Sequence, residues 1–112
     1  MTLEALSAYG ANTAEGLARC MNNEPFYLRM VGMVLSDENF NVLRTAVEAG
    51  DARTAFNAAH ALKGTTGNVS LTPLYEPICR LTEILRGKDE LVDKPLDLLS
   101  QIMDKWEEAL KL

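Results

Sequence analysis

The feature that most constrains this chain is the spacing of its apolar residues, which recur every three to four positions in one segment after another, while no alternating β-branched run offers a strand. Most glycines and prolines fall between those segments as punctuation. An all-α fold is the expectation. A short helix is predicted over Leu3 to Tyr9, and Asn12 with Glu15 makes a capping box for a second one, Thr13 to Met21, which Asn22 and Asn23 stop. Glu24-Pro25 suits a first helical turn, followed by a stripe of Phe26, Tyr27, Met30, Val31 and Val34 that runs to Leu35. Ser36 is the expected N-cap of the next helix, with Phe40, Leu43, Ala46 and Val47 inward and Gly50 as its C-cap. Asp51 then caps a helix carrying Ala55, Ala58, Leu62, Thr65 and Val69 along one face. Thr72-Pro73 opens another with Leu74, Ile78, Leu81 and Leu85, where Pro77 either kinks the first turns or marks the true start. Beyond Gly87 and a charged loop through Lys94, the last stripe is Leu96, Leu99, Ile102, Met103, Trp106 and Leu110.

Long amphipathic helices joined by short turns pack most simply as an antiparallel four-helix bundle, assigned to residues 23–112, with the short helices of residues 1–22 covering one end. A length of 112 residues fits one domain. The longest apolar stretch, Met30 to Leu35, falls far short of the roughly 20 residues a bilayer span needs. With neither a basic n-region nor a continuous apolar h-region at the N-terminus, the cytoplasm is the default compartment. Eleven Lys and Arg against 16 Asp and Glu give a net charge of -5, which disfavours nucleic acid and anionic membrane as partners. Cys20 and Cys79, far apart and without paired spacing, read as buried thiols rather than a disulfide or half a metal site.

One segment breaks a local rule. AFNAAHALKGTTGNV holds Gly64 and Gly67 at helical spacing after the only histidine of the chain, and each glycine costs a helix interior about 0.8–1.0 kcal/mol relative to Ala. Either the helix ends near Gly64, or it continues and the glycines serve something else. On a helical wheel Arg53, Gly64 and Gly67 lie within about 40° of His60, with Lys63 beside them, while Ala58, Leu62, Thr65 and Val69 point the other way. His60 then faces solvent next to two residues without side chains, where a bulky partner has access to its imidazole. Phe56 and its neighbour Asn57 fall on or beside the same side and join the candidate partner surface. Residues 41–80 carry Arg44, Arg53, Lys63 and Arg80 against Glu48, Asp51 and Glu76, a locally positive stretch in an acidic chain. Antiparallel pairing brings Arg44 and Arg80 near the level of His60, making them candidate docking residues.

His60-Ala61-Leu62-Lys63-Gly64, preceded by the Ala49-Gly50-Asp51 turn and followed by Gly67, Asn68 and Leu71, resembles the signature of histidine-containing phosphotransfer (HPt) domains. The likeness extends to the Ala14–Arg19 segment, the tyrosine-bearing helix at Tyr27 and the length, and Ser70 departs from it where many members place a closing glycine. The resemblance implies a four-helix bundle whose His60 carries a phosphoryl group between receiver-domain aspartates, or from a histidine-kinase pathway to a receiver. A solvent-exposed imidazole keeps a neutral ring nitrogen near neutral pH and is a competent nucleophile toward an acyl phosphate. Lys63, three residues on, can reach phosphate oxygens, and Gly64 and Gly67 leave room for the incoming loops. The expected partners are response-regulator receivers or a hybrid histidine kinase, with the chain a monomeric carrier rather than an enzyme. It has no cofactor of its own, and Mg²⁺ and the catalytic groups lie on the partner. Two other readings are a bundle that docks receivers or kinases without carrying phosphate and, more remotely, a metabolic helical-bundle enzyme.

Overall fold

Side-chain caps fix most of the helix starts. The computed structural model, which describes residues 1–112, contains seven helices: α1 Leu3–Tyr9, α2 Thr13–Arg19, α3 Glu24–Leu35, α4 Asn39–Ala49, α5 Ala52–Asn68, α6 Thr72–Leu85 and α7 Leu96–Leu110. Thr2, Asn12, Asn23 and Asp51 each accept a hydrogen bond from the backbone N–H three residues on, satisfying a donor the helix itself leaves free. Ser36 does not play this part. Its backbone sits at φ -90, ψ 4 and closes α3, and its hydroxyl donates back to the Gly32 carbonyl at 2.9 Å. The Asp37 carboxylate instead accepts the Asn39 N–H at 2.8 Å. α2 stops at Arg19 rather than Met21, because Met21 and Asn22 both turn at φ 56. α6 starts at Thr72 and passes through Pro77, whose missing N–H leaves the Pro73 carbonyl without its usual intrahelical donor.

α4, α5, α6 and α7 pack in a closed ring, each against its two neighbours. This ring is the four-helix bundle. α3, which the sequence groups with it, touches α2 and α7 instead and joins α1 and α2 across one end. That end is sealed by bonds between distant segments. The Tyr27 hydroxyl donates to the Val69 carbonyl at 2.9 Å, the Tyr9 hydroxyl to Lys105 at 2.8 Å, and the Trp106 indole to Leu35 at 2.8 Å. Trp106 also stacks on Phe40, centroids 4.8 Å apart. Because α3 lies over an end, its inward face is rotated from the expected stripe, so Leu35 is buried and Phe26 exposed. In α7, Leu99, Ile102 and Met103 are buried as expected and Trp106 is half-buried, whereas Leu96 and Leu110 near its ends are exposed. Thr66 rather than Thr65 is fully buried on α5, its hydroxyl donating to the Leu62 carbonyl at 2.7 Å. At the other end the loop before α7 is tied back by the Leu91 N–H, which donates to the Gly50 carbonyl at 3.0 Å, and by Lys94 Nζ, which donates to the Glu48 backbone carbonyl at 2.6 Å. No helix is long and apolar enough to cross a membrane.

Candidate functional site on helix α5

α5 does not stop near Gly64 but runs unbroken from Ala52 to Asn68, packed between α4 and α6. Its inward face is made of small residues, Ala52, Ala55, Ala58 and Ala59, with Leu62 and Thr66, so the neighbouring helices come close and the opposite face is left to solvent. His60 stands exposed on that face near the middle of the helix.

The two glycines beyond it have different surroundings. A Cβ on Gly64 would meet nothing within 4 Å, so packing does not require the glycine, and its bareness leaves open space one turn from the imidazole. A Cβ on Gly67 would lie 2.9 Å from Tyr75 Cε1 of α6. Gly67 is therefore a seat for the Tyr75 ring, and it lines the same groove as His60 and Gly64. Its carbonyl also accepts a 2.6 Å bond from Arg19 Nη1 of α2.

Around the imidazole, Phe56 lies one turn earlier, its ring stacked on His60 with centroids 5.7 Å apart and planes at 25°. Phe56 is half-buried against the core rather than a free aromatic anchor, and the Arg86 guanidinium covers it 5.2 Å from the centroid. Lys63 is half-buried one turn on. Hydrogen bonds from Arg86 hold the Glu83 carboxyl below the usual carboxylate range, with the Lys63 charge adding to the effect. Lys63 lines the same groove as His60.

His60, Lys63 and Gly64 open into a groove of about 650 Å³ whose far walls are Glu15 and Arg19 of α2 and Tyr75 of α6. Arg19 pairs with Glu15 at 3.0 Å, and the Ser70 hydroxyl donates to the same carboxylate at 3.0 Å. Sequence spacing gives no sign of these walls, because α2 reaches α5 only through the tertiary fold. The segment that holds Glu15 and Arg19 stands out in the sequence through its capping box and its family likeness, neither of which points to the groove. The remaining candidates lie outside the groove. Arg53 pairs with Asp89 of the far loop, and Asn57 is exposed without lining the cavity. Arg44 bonds Asn41 on its own helix at 2.6 Å, and Arg80 turns toward Gln101 of α7 at 3.4 Å. The face each occupies does not follow from antiparallel pairing. No group of three or more His, Cys, Asp or Glu converges to hold a metal ion, and Cys20 and Cys79 are free thiols.

The closed four-helix ring thus displays one exposed histidine beside an uncovered glycine. The Hpt domain family model matches residues 33–110, a span that holds all of α4 to α7, and the chain belongs to that family. No curated protein and no solved structure matches it significantly. Membership gives the chain a general role in histidine phosphotransfer within two-component signalling, in which domains of this family interact with receiver and histidine-kinase domains.

Proposed function

We propose that the chain is a phosphorelay carrier that accepts a phosphoryl group on His60 from a receiver aspartate or a kinase and passes it to another receiver. One observation carries the assignment: a member of a histidine-phosphotransfer family contains a single histidine, and that histidine is exposed within the matched segment. In the forward step a neutral imidazole nitrogen attacks phosphorus, an N–P bond forms as the acyl P–O bond breaks, and the aspartate carboxylate leaves. Discharge reverses the step onto the next aspartate. Phosphoryl transfer depends chiefly on in-line positioning and charge stabilisation. Lys63 supplies a cation beside the ring, Gly64 supplies access, and the partner supplies Mg²⁺ and the remaining catalytic groups. Such a carrier works where receivers and kinase domains are, which places it in the cytoplasm.

Phosphorylated receiver domains incubated with the protein test this reading by ³¹P NMR. Transfer predicts a phosphoramidate resonance on this chain that grows as the receiver discharges. Stable binding with no such resonance identifies a docking module instead.

A further inference from the structure

We propose that Phe56 and Arg86 form a two-layer clamp that sets the orientation of the His60 imidazole, making both positioning residues for transfer. The proposal rests on the reading of His60 as phosphoacceptor.

An exposed imidazole on a helix ordinarily samples several rotamers within nanoseconds. Attack on phosphorus needs the nitrogen held within a few tenths of an ångström of an in-line approach, so a ring that samples freely spends little time in a productive pose. Here one face of the ring is occupied. Phe56 sits four residues earlier, the spacing that places two side chains over one another on a helix, and its ring is stacked on the imidazole at 5.7 Å and 25°. Phe56 itself is fixed from below, half-buried against the core. From α6, the Arg86 guanidinium lies over it at 5.2 Å, a cation over an aromatic ring. The guanidinium is held in turn, since its Nε and Nη2 each donate to Glu83 at 3.1 Å. Nothing in core packing asks for this layering, because Arg86, Glu83 and His60 are all exposed.

His60 is the only histidine, so its ring protons are read without ambiguity in a ¹H–¹³C NMR spectrum. The stack predicts that they lie upfield of a free histidine through the Phe56 ring current. Phe56→Leu should return them to free values, Phe56→Tyr should keep them, and Arg86→Gln, at an exposed site, should move them part of the way with the helical signal unchanged. Phosphoramidate, a small donor that loses ammonia as the new N–P bond forms, should label His60 about tenfold more slowly in Phe56→Leu and at the normal rate in Phe56→Tyr. Ring shifts identical in the wild type and Phe56→Leu overturn the clamp, and so does an unchanged labelling rate once the shift is lost. Should Phe56→Leu fail to fold, Arg86→Gln decides: unmoved His60 resonances overturn the proposal. A wild-type protein that phosphoramidate never labels contradicts the phosphoacceptor reading alone, and the ring shifts still decide the clamp.

Discussion

Gly64 and Gly67 stand three residues apart on α5 and have opposite surroundings. Open space around Gly64 means that Gly64→Ala should stabilise the fold by up to about 1 kcal/mol, through helix propensity and a less flexible unfolded chain. Gly64→Leu should keep the fold and fill the approach to His60, so receiver-dependent transfer falls steeply while labelling by a small phosphodonor persists. A lowered melting temperature with intact receiver transfer contradicts that account. Gly67→Ala should lower the melting temperature, because its Cβ would press into the Tyr75 ring at 2.9 Å. Both glycines are visible in the sequence as anomalies. Only the role of Gly64 follows from the helical wheel, since the residue that needs Gly67 comes from another helix. Ser70 shows the same limit. It adopts φ 58, a left-handed conformation that costs a non-glycine residue about 1–2 kcal/mol, at the position where many members of the resembled family place a glycine. Its hydroxyl bond to Glu15 and its carbonyl bond from Asn12 N–H offset that cost, and both partners lie more than 50 residues away.

At the scale of elements, helix starts set by a local cap are legible and those set by packing are not. Asp51 caps α5 through the Thr54 N–H at 3.1 Å, and bonding with Thr54 lowers its pKa. A carboxylate with a depressed folded pKa contributes stability above its unfolded pKa and loses it as the pH falls through the folded value. Asp51→Ala should therefore melt earlier than the wild type at neutral pH, and the gap should narrow in acid, below the ordinary carboxylate range, where a protonated carboxyl keeps only a neutral acceptor for the Thr54 N–H. Asp51→Asn should retain the cap without that pH dependence. Thermal melts at several pH values check this, and a gap between wild type and Asp51→Ala that does not narrow in acid refutes it. Docking of α2 has no such local sign. Gly16 faces the buried Tyr27 ring so closely that an added Cβ would lie 2.6 Å from its hydroxyl, the group that bonds Val69. Gly16→Ala should destabilise the protein by roughly 1–3 kcal/mol in urea unfolding, by overpacking. An unchanged midpoint would mean that α2 is not held against α3 as described.

At the scale of the whole molecule, apolar periodicity gives the all-α class and the hairpin at Gly50-Asp51, whereas the choice of which helices close the ring is settled by packing. α3 reads as amphipathic as its neighbours, yet its position depends on Tyr27, Leu35 and Trp106 meeting partners far along the chain. Those links should make residues 1–32 part of one cooperative unit with the matched segment. Trp106, the only tryptophan, sits where α3, α4 and α7 meet, so its fluorescence and the far-ultraviolet signal should trace the same unfolding curve. An earlier fluorescence transition would show the N-terminal helices melting on their own.

The central claim is that phosphate travels on His60. Its most direct test incubates the wild type and His60→Gln with a radiolabelled phosphorylated receiver domain and measures label on this chain, with circular dichroism as the control for fold. The wild type should acquire an acid-labile, base-stable label, and His60→Gln should acquire none while its helical signal stays unchanged. Label that survives in His60→Gln would contradict the account.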